Sequence, residues 1–254
     1  MSRQQDVTIP TPDGDARAHV FTPDAGAGPW PPVILYMDAL AIRPAMFEMA
    51  ERLASNGYYV LLPDMFWRLG PYPPMVPAEV LGDPEKRETL FGKFIGSTNP
   101  ERAMSDTGAF LDWLAKQPQA KAGKIGVTGY CMGGALALRA AGNFPDRVAA
   151  AAAFHAGGVV TDQPDSPHLL APKMKAKVFV GGADQDAFFT EQHFETLKQA
   201  FADAGVEGEV TIYRGALHGY APRDLPVFDV EASERHWRDM LALFNGSLKA
   251  PVAA

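Results

Sequence analysis

From residue 32 onward the chain alternates short, wholly apolar runs with longer amphipathic segments, and this alternation constrains the fold more than any other feature. PVILYMD (32–38) follows a Gly/Pro-rich loop and is apolar on both faces, as in a strand buried from both sides. RPAMFEMAERLASNG (43–57) has helical spacing and stops at a glycine, and YYVLLPD (58–64) reads as the next strand. A second helix within 100–117 carries Met104, Phe110, Leu111 and Leu114. The strand KIGVTG (124–129), the small-residue helix GGALALRAA (133–141) and the apolar run VAAAAAFHA (148–156) come next. KVFVG (177–181), EQHFETLKQAFADAG (191–205) and EVTIYRG (209–215) add strand, helix and strand, and the helix VEASERHWRDMLALFNG (230–246) closes the pattern.

Strands that alternate with helices imply right-handed crossovers and a mostly parallel sheet with helices on both faces. Ahead of them, DVTIPTPDGDARAHVFT (6–22) alternates apolar and polar residues around a PDGD turn, the pattern of an antiparallel hairpin. No repeat or linker divides the chain, so a single α/β domain over residues 1–254 is expected. The exception to the alternation is residues 65–99, rich in proline and aromatics; a long irregular segment in a compact domain is usually a lid or substrate loop. The terminal APVAA (250–254) is expected to fray.

With 47% hydrophobic residues the chain can bury a large core, and its net charge of −7 without a Lys/Arg block argues against nucleic acid or an anionic membrane as partner. A small molecule is the expected ligand, and a monomer or small homo-oligomer the expected form. MSRQQDVTIPTPDGD lacks the apolar core of an export signal and no run is long enough to span a bilayer, so a soluble, cytoplasmic protein is expected. The single cysteine has no partner for an intramolecular disulfide, and no Cys/His cluster shows structural zinc spacing, so neither metal nor cofactor is expected.

That cysteine, Cys131, lies in VTGYCMGG between an expected strand and an expected helix, with the spacing Gly129-x-Cys131-x-Gly133-Gly134. This is the nucleophile-elbow pattern with Cys in place of Ser. A lone cysteine is ordinarily a small buried hydrophobe. Here the strained turn would instead project the sulfur at a helix N-terminus, whose free N–H groups and partial positive charge favour a thiolate.

His218, in GALHGYAPR, follows the last strand in a Gly-flanked loop and is the candidate base. In α/β-hydrolases the order is nucleophile, acid, histidine, and an aspartate of GGADQDAFF falls between the two. Asp184 and Asp186 compete for the role of orienting the imidazole. Asp184 is nearer the strand end, while Asp186 stands four residues before Thr190, a spacing at which such folds often carry proline. Asp186 is preferred, with Asp184 the alternative. Among the other histidines His155 is the competitor, since it ends the strand after the nucleophile helix and would sit at the pocket rim or behind it.

Gly129-Tyr130-Cys131-Met132-Gly133-Gly134, the Asp-bearing loop and His218-Gly219-Tyr220 together resemble the dienelactone hydrolases, over nearly the whole chain. The resemblance implies an α/β-hydrolase fold and hydrolysis of a cyclic enol-lactone in aromatic-ring degradation. It also implies a carboxylate at the end of the strand matching PVILYMD that activates the thiol; family members carry Glu there, and this chain has Asp38. It implies an oxyanion hole of the Met132 and Ala39 backbone amides, and arginines for a substrate carboxylate, matched by Arg87 and, with a one-residue offset, by Arg223. Tyr130, beside the nucleophile, is assigned to substrate contact. A broader esterase or thioesterase, or a ligand-binding relative without activity, are the alternatives.

Overall fold

In the computed structural model, described over residues 2–249, the chain opens with a hairpin: Ser2–Thr11 (β1) and Gly14–Pro23 (β2) pair antiparallel across the Pro12-Asp13 turn. Pro32–Tyr36 (β3), Pro44–Ser55 (α1) and Tyr59–Pro63 (β4) follow, and every residue of the two strands is buried. The middle of the chain forms Pro77–Gly82 (α2), Pro84–Thr89 (α3), Pro100–Leu114 (α4), Ile125–Tyr130 (β5), Met132–Asn143 (α5) and Val148–Phe154 (β6). Pro167–Leu170 (α6), Lys177–Ala183 (β7), Glu191–Ala204 (α7), Gly208–Tyr213 (β8) and Val230–Phe244 (α8) complete it. Ala250–Ala254, expected to fray, lie outside the described residues.

The strands form one sheet in the order β1-β2-β4-β3-β5-β6-β7-β8, antiparallel where β2 meets β1 and β4 and parallel from β4 to β8. Helices α1 and α8 share one face, where Arg52 of α1 stacks on Trp237 and pairs with Glu234 of α8. Helices α4 and α5 pack together on the opposite face, continued through α6 to α7. The doubly wound layout read from the sequence is therefore the observed one.

Two features of this fold position the site. The chain leaves β3 for β4 on one side and returns to β5 on the other, so the C-terminal ends of β3 and β5 border the crevice where open parallel sheets bind ligands. The second is the smallness of β6 and α5. A run of alanines, each burying little area of its own, lets the Gly- and Ala-rich α5 approach the sheet so closely that a methyl group on Gly134 would lie 2.6 Å from the Ala156 side chain. That approach brings the start of α5 down to the ends of β3 and β5.

Residues 65–99 differ from the irregular lid expected. Trp67–Leu69 is a 3₁₀ turn, α2 and α3 follow, and Leu90–Ile95 continues as a π turn. Prolines suggest breaks, but Pro77 and Pro84 each begin a helix, where the preset φ helps and no N–H is needed. Asp83 caps α3 by accepting from the Glu85 and Lys86 amides at 2.9 and 3.2 Å. Val80 and Leu90 of this segment pack with Leu40, just after β3, and with Leu225, in the loop after His218. Phe94 sits edge-on between Phe66 and Tyr72, at ring separations of 5.5 and 5.4 Å.

Candidate active site

Cys131 is the N-cap of α5 at φ 53° and ψ −117°, the left-handed backbone that a nucleophile turn requires. Its amide donates to the Phe154 carbonyl at 3.1 Å and its carbonyl accepts from Gly134 at 3.1 Å, so both sides of the turn are held. The two flanking glycines are needed for space. A side chain on Gly129 would overlap the Gly133 carbonyl, and one on Gly133 would overlap the carbonyls of Tyr36 and Met37 at the end of β3. The sulfur-bearing residue is partly exposed. Among the described residues, the non-glycine residues with positive φ are Ala41, Cys131, His155 and Gln185, and each lies past the C-terminal end of a parallel strand.

His218 follows β8, and its Nδ1 lies 2.6 Å from Asp186 Oδ2; the other Asp186 oxygen accepts from the Phe188 amide at 2.8 Å. Burial opposes a charged imidazole, but the Asp186 hydrogen bond and the neighbouring Cys131 outweigh it and raise His218 to about 10. Asp184 turns elsewhere. It accepts from the Gly215 amide at 3.0 Å and from Arg214 at 3.1 Å, and the Gly215 hydrogen bond leads the causes that hold its carboxyl below the ordinary value. Of the two aspartates, Asp186 alone meets the imidazole. Thr190 caps α7, accepting from the His193 amide at 3.3 Å.

The end of β3 carries an ion cluster. Asp38 Oδ1 accepts from the Leu40 amide at 2.9 Å, and Arg43 Nη1 and Nη2 donate to the two Asp38 oxygens at 2.6 and 2.8 Å. Arg43 also donates from Nε and Nη2 to Asp224 at 2.6 and 3.1 Å. Its side chain is 0% exposed; burial opposes its charge, and Asp38 and Asp224 more than restore it. Close by, the amides of Ala39 and Met132 have no acceptor among the described residues, which suits donors kept for a ligand oxygen.

A thiol in such an elbow and an imidazole held by a carboxylate are groups of the kind that carry out acyl transfer. The sequence profile of the dienelactone hydrolase family matches residues 16–248. The chain belongs to that family. A Yersinia pestis protein provisionally named carboxymethylenebutenolidase is 25% identical over 94% of this chain and 87% of its own length. The carboxymethylenebutenolidase of Pseudomonas sp. strain P51 is 35% identical over 124 residues, 49% of each chain. A crystal structure of a provisionally named dienelactone hydrolase from Klebsiella pneumoniae superposes with a TM-score of 0.84 at 23% identity, covering 96% of this chain and 98% of that one. This dienelactone hydrolase family member is accordingly a hydrolase of the carboxylic-ester type with the α/β-hydrolase fold. Among the described residues no cluster of His, Cys, Asp and Glu could hold a metal, and no helix is long and apolar enough to cross a membrane.

Other expectations for the dienelactone hydrolase site meet a different geometry. Tyr130 is no substrate contact: it is 0% exposed, and its hydroxyl bonds His236 of α8 at 3.1 Å, on the other face of the sheet from α5. The reason is strand alternation, which sends the last side chain of β5 away from the crevice. Asp38 does not meet Cys131, because both its oxygens are bound to Arg43. Arg223 pairs with Glu48 through Nε at 2.6 Å and is 69% exposed, and Arg87 is exposed on α3 with no ion-pair partner among the described residues.

His155 is buried behind His218, edge-on at 5.3 Å, with neither ring nitrogen hydrogen-bonded among the described residues. Burial first, then the nearby His218 and His236, push it well below the ordinary histidine value, so it is a neutral packing ring. Arg43 and Asp224 escaped the sequence reading. An arginine before a helix-opening proline and an aspartate in a Pro-rich loop carry no local signature, and only the fold joins them.

Proposed function

We propose that the chain hydrolyses a lactone or ester by acyl transfer to Cys131. The Cys131 sulfur, its proton taken by His218, attacks the carbonyl carbon, and the Ala39 and Met132 amides receive the oxyanion. The imidazolium returns its proton to the departing alkoxide or enolate. Once the sulfur is acylated, Cys131 no longer supports the proton on His218, and the neutral ring, oriented by Asp186, takes a proton from the water that cleaves the thioester. Removal of one oxyanion donor from such a site costs about 10²–10³ in turnover.

The observation that carries this reading is the 2.6 Å contact of His218 with Asp186 beside the Cys131 elbow, at the switch point of the sheet. The substrate named by the relatives, a carboxymethylenebutenolide, is the proposed class, in a cytoplasmic route of aromatic degradation and without a cofactor. A neutral ester is the second reading. Phe188, 52% exposed, packs 5.0 Å from the His218 ring, and Arg223 is already paired with Glu48.

Turnover of a dienelactone, a p-nitrophenyl ester and an acyl thioester, with mass spectrometry of the trapped acyl group on Cys131, tests both. Acylation elsewhere in the chain would sink the mechanism. Arg87→Ala separates the substrate classes: a raised KM for the carboxylated lactone alone supports the dienelactone, because charge-assisted bonds contribute about 1.5–3 kcal/mol each.

A further inference from the structure

The turn after β3 bears one of the two proposed oxyanion donors, yet Asp38-Ala39-Leu40-Ala41 contains no glycine or proline to stiffen it. Ala41 nevertheless sits at φ 66°. Polar bonds hold it there. The Asp38 carbonyl accepts from the Ala41 amide at 3.3 Å, and the Asp38 carboxylate accepts from the Leu40 amide at 2.9 Å. Arg43 locks the turn with bonds of 2.6 and 2.8 Å to Asp38 and one of 3.3 Å to the Ala41 carbonyl. Its remaining bonds, at 2.6 and 3.1 Å, reach Asp224, in the loop that carries His218. A guanidinium has five N–H donors, and these five bonds use them all.

We propose that Arg43 is a positioning residue for acyl transfer: its fork across Asp38 and Asp224 holds the Ala39 amide where the oxyanion forms and keeps the His218 loop in register with it. The inference rests on the Cys131–His218 reading above. Full burial and saturated donors exclude direct contact of Arg43 with substrate. A planar fork fixes its partners in direction as well as distance, which a lysine ammonium cannot do. Direction is what an oxyanion donor needs, since it must be aimed before the charge appears.

The test compares Arg43→Lys and Asp224→Asn with wild type in four measurements: kcat and KM for p-nitrophenyl acetate, affinity for an aryl trifluoromethyl ketone, alkylation of Cys131 by iodoacetamide, and Tm. The ketone builds a tetrahedral oxyanion on the sulfur, whereas alkylation needs none. Arg43→Lys should lower kcat about 10²-fold with KM within about threefold, the scale of a lost oxyanion donor. Ketone affinity should weaken in proportion to kcat/KM, while the alkylation rate stays near wild type. Asp224, partly exposed, is the safer position, and Asp224→Asn should give the same pattern with a smaller loss; if Arg43→Lys does not fold, this variant decides.

Unchanged kcat and ketone affinity would overturn the proposal. So would a raised KM at unchanged kcat, or alkylation that slows as much as kcat. Failure of the functional reading would show in the wild-type protein, as absent ester turnover and no ketone adduct on Cys131, and would take the proposal with it; failure of the proposal alone would leave wild-type turnover and adduct intact and the variants like wild type.

Discussion

Asp186 Oδ2 lies 2.6 Å from His218 Nδ1, while Asp184, on the same loop, turns away to the Gly215 amide and Arg214. If Asp186 is the orienting acid, Asp186→Asn leaves the wrong imidazole tautomer facing Cys131 and should lower turnover about 10⁴-fold. Asp184→Asn should lose little, because its bonds only brace the ends of β7 and β8. Steady-state kinetics of the two variants on one ester decide the matter, and a larger loss at position 184 would reverse the assignment.

The proton on His218 should govern the alkaline limit of activity. Burial works against the charged ring, but the Asp186 hydrogen bond and Cys131 raise it to about 10, so kcat/KM should hold to high pH and fall near that value. The same shift stabilises the fold below the ordinary value of 6.5, with the contribution lost as pH rises towards about 10. Asp186→Asn removes a support of the charge and should move the limb downward. A wild-type limb near pH 6.5 would contradict this account.

Acid should destabilise the protein through the other face of the sheet. Burial leads the causes that lower His236 from 6.5 to about 3, and burial likewise depresses His155. A depressed pKa means stability that is present above 6.5 and is lost as pH falls from there towards about 3. In that window His236 contributes a slope of about 1.4 kcal/mol per pH unit. His236→Gln keeps a partner for the Tyr130 hydroxyl without a titrating ring. Denaturant titrations between pH 6.5 and 4.5 should show a shallower slope for this variant, and an identical slope would exclude His236 as a source.

The elbow glycines should be structural as well as functional. Gly129→Ala drives a methyl group into the Gly133 backbone, and Gly133→Ala drives one into the carbonyls ending β3. Each should cost about 3 kcal/mol or more, at the upper end of overpacking penalties, since backbone cannot rotate aside. Gly82→Ala, in α2 with nothing near the added methyl, should be neutral or slightly stabilising. Chemical denaturation of the three variants gives the order.

The alternation of strands and helices was legible because burial from both sides leaves β3 and β4 no polar residue to obscure the pattern. Cys131 and His218 were legible as candidates because the elbow spacing and the Gly-flanked loop are local signals. Asp186 against Asp184 was not, since the choice depends on which carboxylate the curve of the loop presents to the ring. Tyr130 misled because a sequence neighbour of the nucleophile faces the opposite side of the sheet. The helices within 65–99 were hidden by prolines that open helices as readily as they end them. The Arg43 bridge spans 181 residues to Asp224, and no window along the chain contains both ends.

The left-handed backbones of Ala41, Cys131, His155 and Gln185 bear on any effort to make this protein hardier. Each residue is held in a conformation that glycine would adopt without steric strain, so a screen for heat resistance would be drawn to these positions. Relaxing them would slacken the rim of the crevice at the ends of β3, β5, β6 and β7. Under the proposed mechanism robustness and turnover would be set against each other at these addresses, and improvement of one without loss of the other has to be sought elsewhere, on the outer helices.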